Sequence, residues 1–188
     1  MALQVPKHLF NIDEYYRMYE AGIFSEDDRV ELIDGEIVEM SPIGSEHAAC
    51  VLRLNTLLSR LVGTQALVNV QSPVKVSSHS EPQPDIALLV PRDDFYARAH
   101  PEPAEVLLIV EVADTTLSYD RDIKSLLYAR AGIPEFWLVD LPGEAIEIYT
   151  EPLKGRYRLV RRVERGETVT SQTIPGLTLD VDAILGQG

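Results

Sequence analysis

The sequence predicts a mixed α/β fold of the α+β kind: a central mixed sheet flanked by helices, with additional antiparallel strands, in a single domain spanning residues 1–188. Three observations predict it. Short apolar runs bounded by turn residues recur from residue 30 to residue 170. Two stretches with helical spacing, 45–62 and 119–131, are set among them. Two of the apolar runs carry a carboxylate at opposite ends: Pro84-Asp85 opens the run 86–90, and Glu111 closes the run 106–110. Antiparallel pairing of those two runs would bring both carboxylates to one edge.

The elements follow in order. Asn11, with Glu14 three residues later, reads as a capping box opening a short helix that Gly22 closes. Residues 30–38 read as a hairpin about an Asp34-Gly35 turn. Residues 45–62 place Ala48, Val51, Leu52, Leu54, Leu58 and Leu61 at helical spacing and stop at Gly63. Strand-like runs come next at 66–70, 74–76, 86–90 and 106–112, and the segment 92–103, with its two late prolines, is expected to be the most mobile loop. Residues 119–131 read as a helix ended by Gly132, with Pro134 beyond it. Residues 136–139, 145–149, 157–163 and 168–170 read as further strands, with no internal repeat.

Composition confines the function. Apolar and charged contents of 45% and 25% are those of an ordinary globular chain. No apolar stretch is long enough to span a bilayer, and residues 1–10 lack the charged-then-apolar pattern of a secretory leader. The single cysteine, Cys50, leaves no internal disulfide framework and fits a reducing compartment, so a cytoplasmic location is expected. A net charge of −13 opposes tight nonspecific binding to nucleic acid, while leaving room for a local basic surface. Zinc-spaced cysteines, a phosphate-cradling Gly-Lys-Ser/Thr loop, His-Glu-x-x-His and Gly-x-Ser-x-Gly do not occur, which sets aside zinc hydrolases, P-loop nucleotidases and serine esterases.

Two carboxylates buried together are costly unless something positive lies between them. A divalent metal would serve, and so would Lys124. The series Glu111-Val112-Ala113-Asp114, then Asp120-Arg121-Asp122-Ile123-Lys124, then Tyr128 through Asp140 resembles the signature of the Uma-type restriction endonuclease family, within the PD-(D/E)XK nuclease superfamily. Glu31 to Glu36, His47 and Pro84-Asp85 match its upstream landmarks in order, so the resemblance covers nearly the whole chain. It implies a restriction-endonuclease-like sheet and a metal-dependent endonuclease that hydrolyses phosphodiester bonds, of DNA in the first instance.

In that superfamily the Asp and Glu bind a divalent cation together with the backbone carbonyl after the Glu. The matching positions here are Asp85, Glu111 and Val112, a hard-oxygen set suited to Mg2+ or Mn2+. The chain departs from the simplest pattern because Ala113 stands two residues after Glu111, and Lys124 on the following helix is the implied catalytic lysine. There Asp120, Lys124 and Tyr128 share a stripe, with Ile123 and Leu127 expected to pack inward. Glu31 and His47 complete the candidate catalytic set of Asp85, Glu111, Lys124, Glu31 and His47. The superfamily also implies a homodimer where both strands of a duplex are cut.

Each assignment has a plainer rival. A strand-end carboxylate is ordinarily solvated, and Asp120 with Lys124 suits an i,i+4 helix salt bridge. Glu31 reads equally as a surface charge beside the hairpin, His47 as a packing or capping histidine, and Gln71 carries a weaker signal still. Phe136, Trp137 and Cys50 read as core. Lys154, Arg156, Arg158, Arg161, Arg162 and Arg165 concentrate on one strand pair, with Arg156, Arg158 and Arg162 on one face. They suit either phosphate-backbone contact or an edge strand guarded by charge. The rival function is a catalytically inactive nuclease-fold module acting in protein interaction or regulation. The joint presence of Asp85, Glu111 and Lys124 favours the enzyme.

Overall fold

Residue alternation and turn chemistry place most of the elements. The computed structural model describes residues 6–25 and 27–186, so half of the N-terminal stretch read for a leader lies outside the described residues. The first helix, α1 (Ile12–Glu20), starts on the reciprocal capping box: Glu14 N–H donates to the Asn11 side chain at 2.9 Å, and Asn11 N–H donates to the Glu14 carboxylate at 3.0 Å. Strands β1 (Val30–Ile33) and β2 (Glu36–Glu39) pair about Asp34 and Gly35, whose φ values of 49° and 79° make a two-residue hairpin turn. A Cβ on Gly35 would lie 2.6 Å from the Leu9 side chain, so this turn needs glycine for space as well as for backbone. Alternation along β1 sends Leu32 towards α1, where it packs with Ile12 and Tyr15, and leaves Glu31 on the opposite face with Ile33.

Helix α2 (Ser45–Leu61) lies along one face of the main sheet. Its buried stripe is Cys50, Val51, Leu54 and Leu58. Leu52 and Leu61, counted in the sequence as part of that stripe, are 66% and 47% exposed, because they fall on the far side of the turn. The main sheet has six strands in the order β3 (Leu67–Val70), β4 (Ile86–Leu89), β5 (Val106–Ala113), β6 (Glu135–Asp140), β7 (Ala145–Leu153), β8 (Arg156–Glu164). All neighbours are antiparallel except β5 and β6. That one parallel pair needs a crossover, and a helical run supplies it: α3 (Leu117–Tyr119), a π-turn (Asp120–Lys124) and α4 (Ser125–Ala131), closed by Gly132 at φ 79°.

The sheet is covered on both faces, which explains its continuous apolar strands. Leu108, Val110 and Val112 of β5 face α2 and the C-terminal α5 (Val181–Leu185), whereas Ile109 and Ala113 face α4 together with Phe136 and Leu138. Glu111 has the parity of Ile109 and Ala113 and so points at the crossover helix.

One reading of the sequence needs correction, and two late elements went unread. Residues 74–76 join no strand ladder; Val74 and Val76 are buried, but their N–H groups bond to Pro82 and Ser80 carbonyls within an irregular turn. The segment 92–103 carries its own network: Arg92 reaches Asp94 at 2.8 Å and Glu105 at 2.9 Å and lies over the Tyr96 ring, whose hydroxyl donates to the Val90 carbonyl. Strand β10 (Thr178–Asp180), which pairs with β9 (Thr168–Thr170), and helix α5 had no reading in the sequence, being too short to show a period. Arg53 of α2 holds α5 in place through the carbonyls of Ile184 and Leu185.

Glu135, fully buried at the start of β6, fastens the late segment to the sheet. Its Oε2 accepts from Ser171 Oγ, Gln172 N, Thr173 N and Thr173 Oγ1, and its Oε1 accepts from the Trp137 indole at 2.7 Å. Glu135→Ala strands those donors in the interior and should cost more than about 3 kcal/mol in urea unfolding, since each orphaned buried group costs roughly 1–3 kcal/mol.

Candidate functional site

The register of β4 against β5 builds the site. Ile86 pairs with Val110, so the residue before β4, Asp85, lies across from Glu111. Asp85 N–H donates to Glu111 Oε2 at 3.3 Å, and Val112 N–H donates to Asp85 Oδ2 at 2.9 Å. Both carboxylates are buried, unlike the solvated strand-end acids of the plainer reading. Gln71, just past β3 with φ 44°, donates its amide to Asp85 Oδ1 at 3.1 Å. From the first turn of α2, His47 Nε2 lies 3.0 Å from Asp85 Oδ2.

The crossover helix approaches from the other face. Lys124 Nζ lies 3.1 Å from Glu111 Oε1 and 3.3 Å from Glu31 Oε1, and all three groups are buried. Glu31 is therefore an interior charge and not the surface charge of the alternative reading; its Oε2 accepts from Gln83 N–H at 3.1 Å. Tyr128 donates to Glu111 Oε1 at 2.6 Å, and Thr116 donates to Asp120 at 2.5 Å. No Asp120–Lys124 ion pair occurs among the described residues, because the lysine turns to Glu111 and Glu31 instead.

The π-turn accounts for that aim. Ser125 N–H bonds to the Asp120 carbonyl, five residues back, and the Ser125 hydroxyl takes the Arg121 carbonyl. The widened turn buries both Asp120 and Lys124. It also rotates Ile123 outward to 42% exposure, which corrects the expectation that Ile123 packs inward; Leu127 and Tyr128 are the buried partners.

All five candidate catalytic residues thus converge, with Gln71 and Asp120 beside them, and Asp85, Glu111, Lys124, Glu31 and His47 line one cleft of about 410 Å³. Tyr128 stood in the sequence only as a member of the helix stripe, and its bond to Glu111 had no separate signal. The backbone N–H groups of Gln83 and Val112 carry no side-chain signal at all.

Electrostatics divides the two facing acids. Burial works to raise the Asp85 carboxyl, but hydrogen bonds from His47, Val112 N–H and Gln71 outweigh it and hold Asp85 below the usual carboxylate range. Burial pushes Glu111 up to about 8; Lys124 opposes the rise, and Asp85 and Asp120 add to it. Asp120 is raised by burial, with Lys124 opposing. Burial also disfavours the Lys124 charge, yet Glu111, Glu31 and Asp120 together hold it well above the usual lysine range. His47 is raised by its hydrogen bond to Asp85 against the cost of burial. Glu31, Asp85, Glu111 and Asp120 thus share the cleft with Lys124 and His47, and Glu39, Asp114 and Arg29 line it as well.

Of the six late basic residues, three are ion-paired among the described residues and Lys154, Arg156 and Arg161 are not. On edge strand β8 Arg158 meets Glu151 and Arg162 meets Asp140 and Glu147, while Arg165 in the following turn meets Glu144 and Asp182. Arg121 joins the same group through Glu147 at 2.7 Å.

Comparison with known proteins agrees with the architecture. The profile of the Uma2 family, described as "Putative restriction endonuclease", matches residues 12–182. A crystal structure described as "a putative nuclease belonging to DUF820", from Anabaena variabilis ATCC 29413, superposes with a TM-score of 0.75, covering 94% of this chain and 97% of that one at 17% identity. At that identity the likeness establishes the fold alone. No curated protein matches the chain.

The raised Glu111 carboxyl has a definite sign in stability. Between the ordinary value of 4.5 and about 8, the folded protein keeps a proton that the unfolded chain has lost. The Glu111 contribution to stability should therefore fall as pH rises through that window. Urea unfolding from pH 5 to pH 8 in chelator should show this slope in the wild type and a flatter one in Glu111→Gln.

Proposed function

The chain belongs to the Uma2 family, and we propose that it is a metal-dependent endonuclease that hydrolyses phosphodiester bonds of DNA. The observation that carries the reading is the facing of Asp85 and Glu111 across one register, with Lys124 beside them. The donor set fits a hard divalent cation, Mg2+ or Mn2+. Two buried carboxylates line one cleft from facing strand positions, and the cleft holds more acids than cations. Among the described residues no three His, Cys, Asp or Glu side chains are grouped to hold a metal. The third ligand of this reading is accordingly a backbone oxygen. Val112 directs its N–H to Asp85, and a strand residue's carbonyl points to the same side as its N–H. A cation bound by Asp85, Glu111 and the Val112 carbonyl supplies Lewis acidity and a more acidic water.

The chain's own residues do the rest. His47 and Gln71 take the two oxygens of Asp85, and Tyr128 and Lys124 fix Glu111, so both acids are oriented before substrate arrives. Glu31 anchors Lys124 from the opposite side. Held between Glu31 and Glu111, Lys124 is placed to stabilise charge developing on the phosphate or to position the attacking water. Cutting both strands of a duplex needs two such clefts, so a homodimer on DNA is the expected assembly. No described helix is long and apolar enough to cross a membrane, and the lone cysteine suits the cytoplasm.

One observation favours the rival, an inactive module acting in protein interaction or regulation. Arg158, Arg162 and Arg165 are each bonded to carboxylates in a chain of net charge −13, which weakens the case for a basic DNA surface. Calorimetric titration of Mn2+, paired with plasmid nicking, separates the two. The nuclease reading expects binding and nicking by the wild type and neither by Asp85→Asn or Glu111→Gln. Absence of Mn2+ binding in the wild type would favour the inactive module. Lys124→Met should still bind Mn2+ but nick roughly 10²–10⁴-fold more slowly, the range of one lost stabilising or proton-handling group.

A further inference from the structure

Two buried polar atoms among the described residues lack a hydrogen-bond partner, His47 Nδ1 and the Tyr119 hydroxyl. Both residues line the same cleft, His47 from α2 and Tyr119 from the end of α3. Buried groups of this kind are rare because each costs about 1–3 kcal/mol. Two in one wall point to something polar that completes them from the cleft side.

Tyr119 is the sharper clue, since its buried hydroxyl donates to no group among the described residues. Glu31 is its nearest charged neighbour in electrostatic effect, but Lys124 and Gln83 N–H already engage the two Glu31 oxygens. The Asp120 carboxylate takes the Thr116 hydroxyl, and Glu111 takes Lys124, Tyr128 and Asp85 N–H. Burial, and then the Glu31 charge, push the Tyr119 phenol up to about 12, so it stays a donor at any working pH. Lys124 also retains an unused proton: an ammonium has three, and its close partners are Glu111 and Glu31. The wall therefore presents two unused donors, one of them cationic, which is the pattern that receives an oxyanion.

We infer that Tyr119 is a substrate-binding residue whose hydroxyl, together with the free proton of Lys124, holds a non-bridging oxygen of a phosphodiester in the cleft. The inference rests on the phosphodiesterase reading and adds to it a residue that the acid–acid–lysine set lacks. Glu31 and Asp120 would repel a bare anion, so a cation held by Asp85 and Glu111 would favour phosphate binding.

Tyr119→Phe deletes only the hydroxyl and tests this directly. Because that hydroxyl has no partner in the free protein, the variant should melt at the wild-type temperature or above it. Calorimetry should give unchanged affinity for Mn2+. A thymidine dinucleotide carrying one phosphodiester, titrated in saturating Mn2+, should bind about five- to tenfold more weakly, the loss expected for one hydrogen bond to a charged group. Equal dinucleotide affinity would overturn the inference and assign the hydroxyl to an ordered water. A lowered melting temperature would also overturn it, by showing that the hydroxyl has a structural partner. A wild type that binds Mn2+ but no dinucleotide would remove the inference while leaving the cation reading intact. A wild type that binds no Mn2+ would remove both.

Discussion

The pairing of Ile86 with Val110 is the constraint on which the rest depends. It sets Asp85 opposite Glu111, and a slip of one residue would carry Glu111 to the α2 face, away from Lys124 and Tyr128. The sheet resists that slip because β4 is buried on both sides with unequal shapes. Ile86 and Leu88 fill the α2 side, while Ala87 and Leu89 meet the α4 side. Core packing thus holds a costly juxtaposition of like charges in register.

That cost is offset from the crossover helix. The parallel β5–β6 pair obliges the chain to cross over the sheet, and the crossover passes directly above Glu111. The π-turn lets Asp120 and Lys124 face the cleft together, so the lysine lies between Glu31 and Glu111 as the resident counter-charge. Three elements, the distant hairpin, the central strand and the crossover helix that follows it, meet in one ion group. The fold and the site are therefore a single arrangement. In the proposed mechanism the same lysine that makes the buried acids tolerable also meets the phosphate.

Much of this was legible in the chain because the signals were local or mirrored. The capping box at Asn11 and Glu14, the Asp34-Gly35 turn and the Gly132 stop each specify their geometry within a few residues. The opposed carboxylates at Asp85 and Glu111 needed only the assumption of antiparallel pairing, which the structure bears out. Other features could not be read because they depend on tertiary context. Burial of Glu31 follows from the hairpin docking through Leu32 and Glu81, and a four-residue strand carries no sign of that. The outward turn of Ile123 follows from the π-turn, since ordinary helical spacing places that residue inside. Of the late basic cluster, Arg158, Arg162 and Arg165 pair with acids on neighbouring segments, which reduces its free charge, while Lys154, Arg156 and Arg161 form no ion pair among the described residues.

Anomalous diffraction from crystals soaked in Mn2+ would show whether Asp85, Glu111 and the Val112 carbonyl hold a divalent cation, as proposed. A single strong peak is expected within coordination distance of the Asp85 and Glu111 carboxylates, lost in Glu111→Gln crystals. A peak elsewhere with this cleft empty, or no peak at a concentration that saturates related sites, would contradict the proposal.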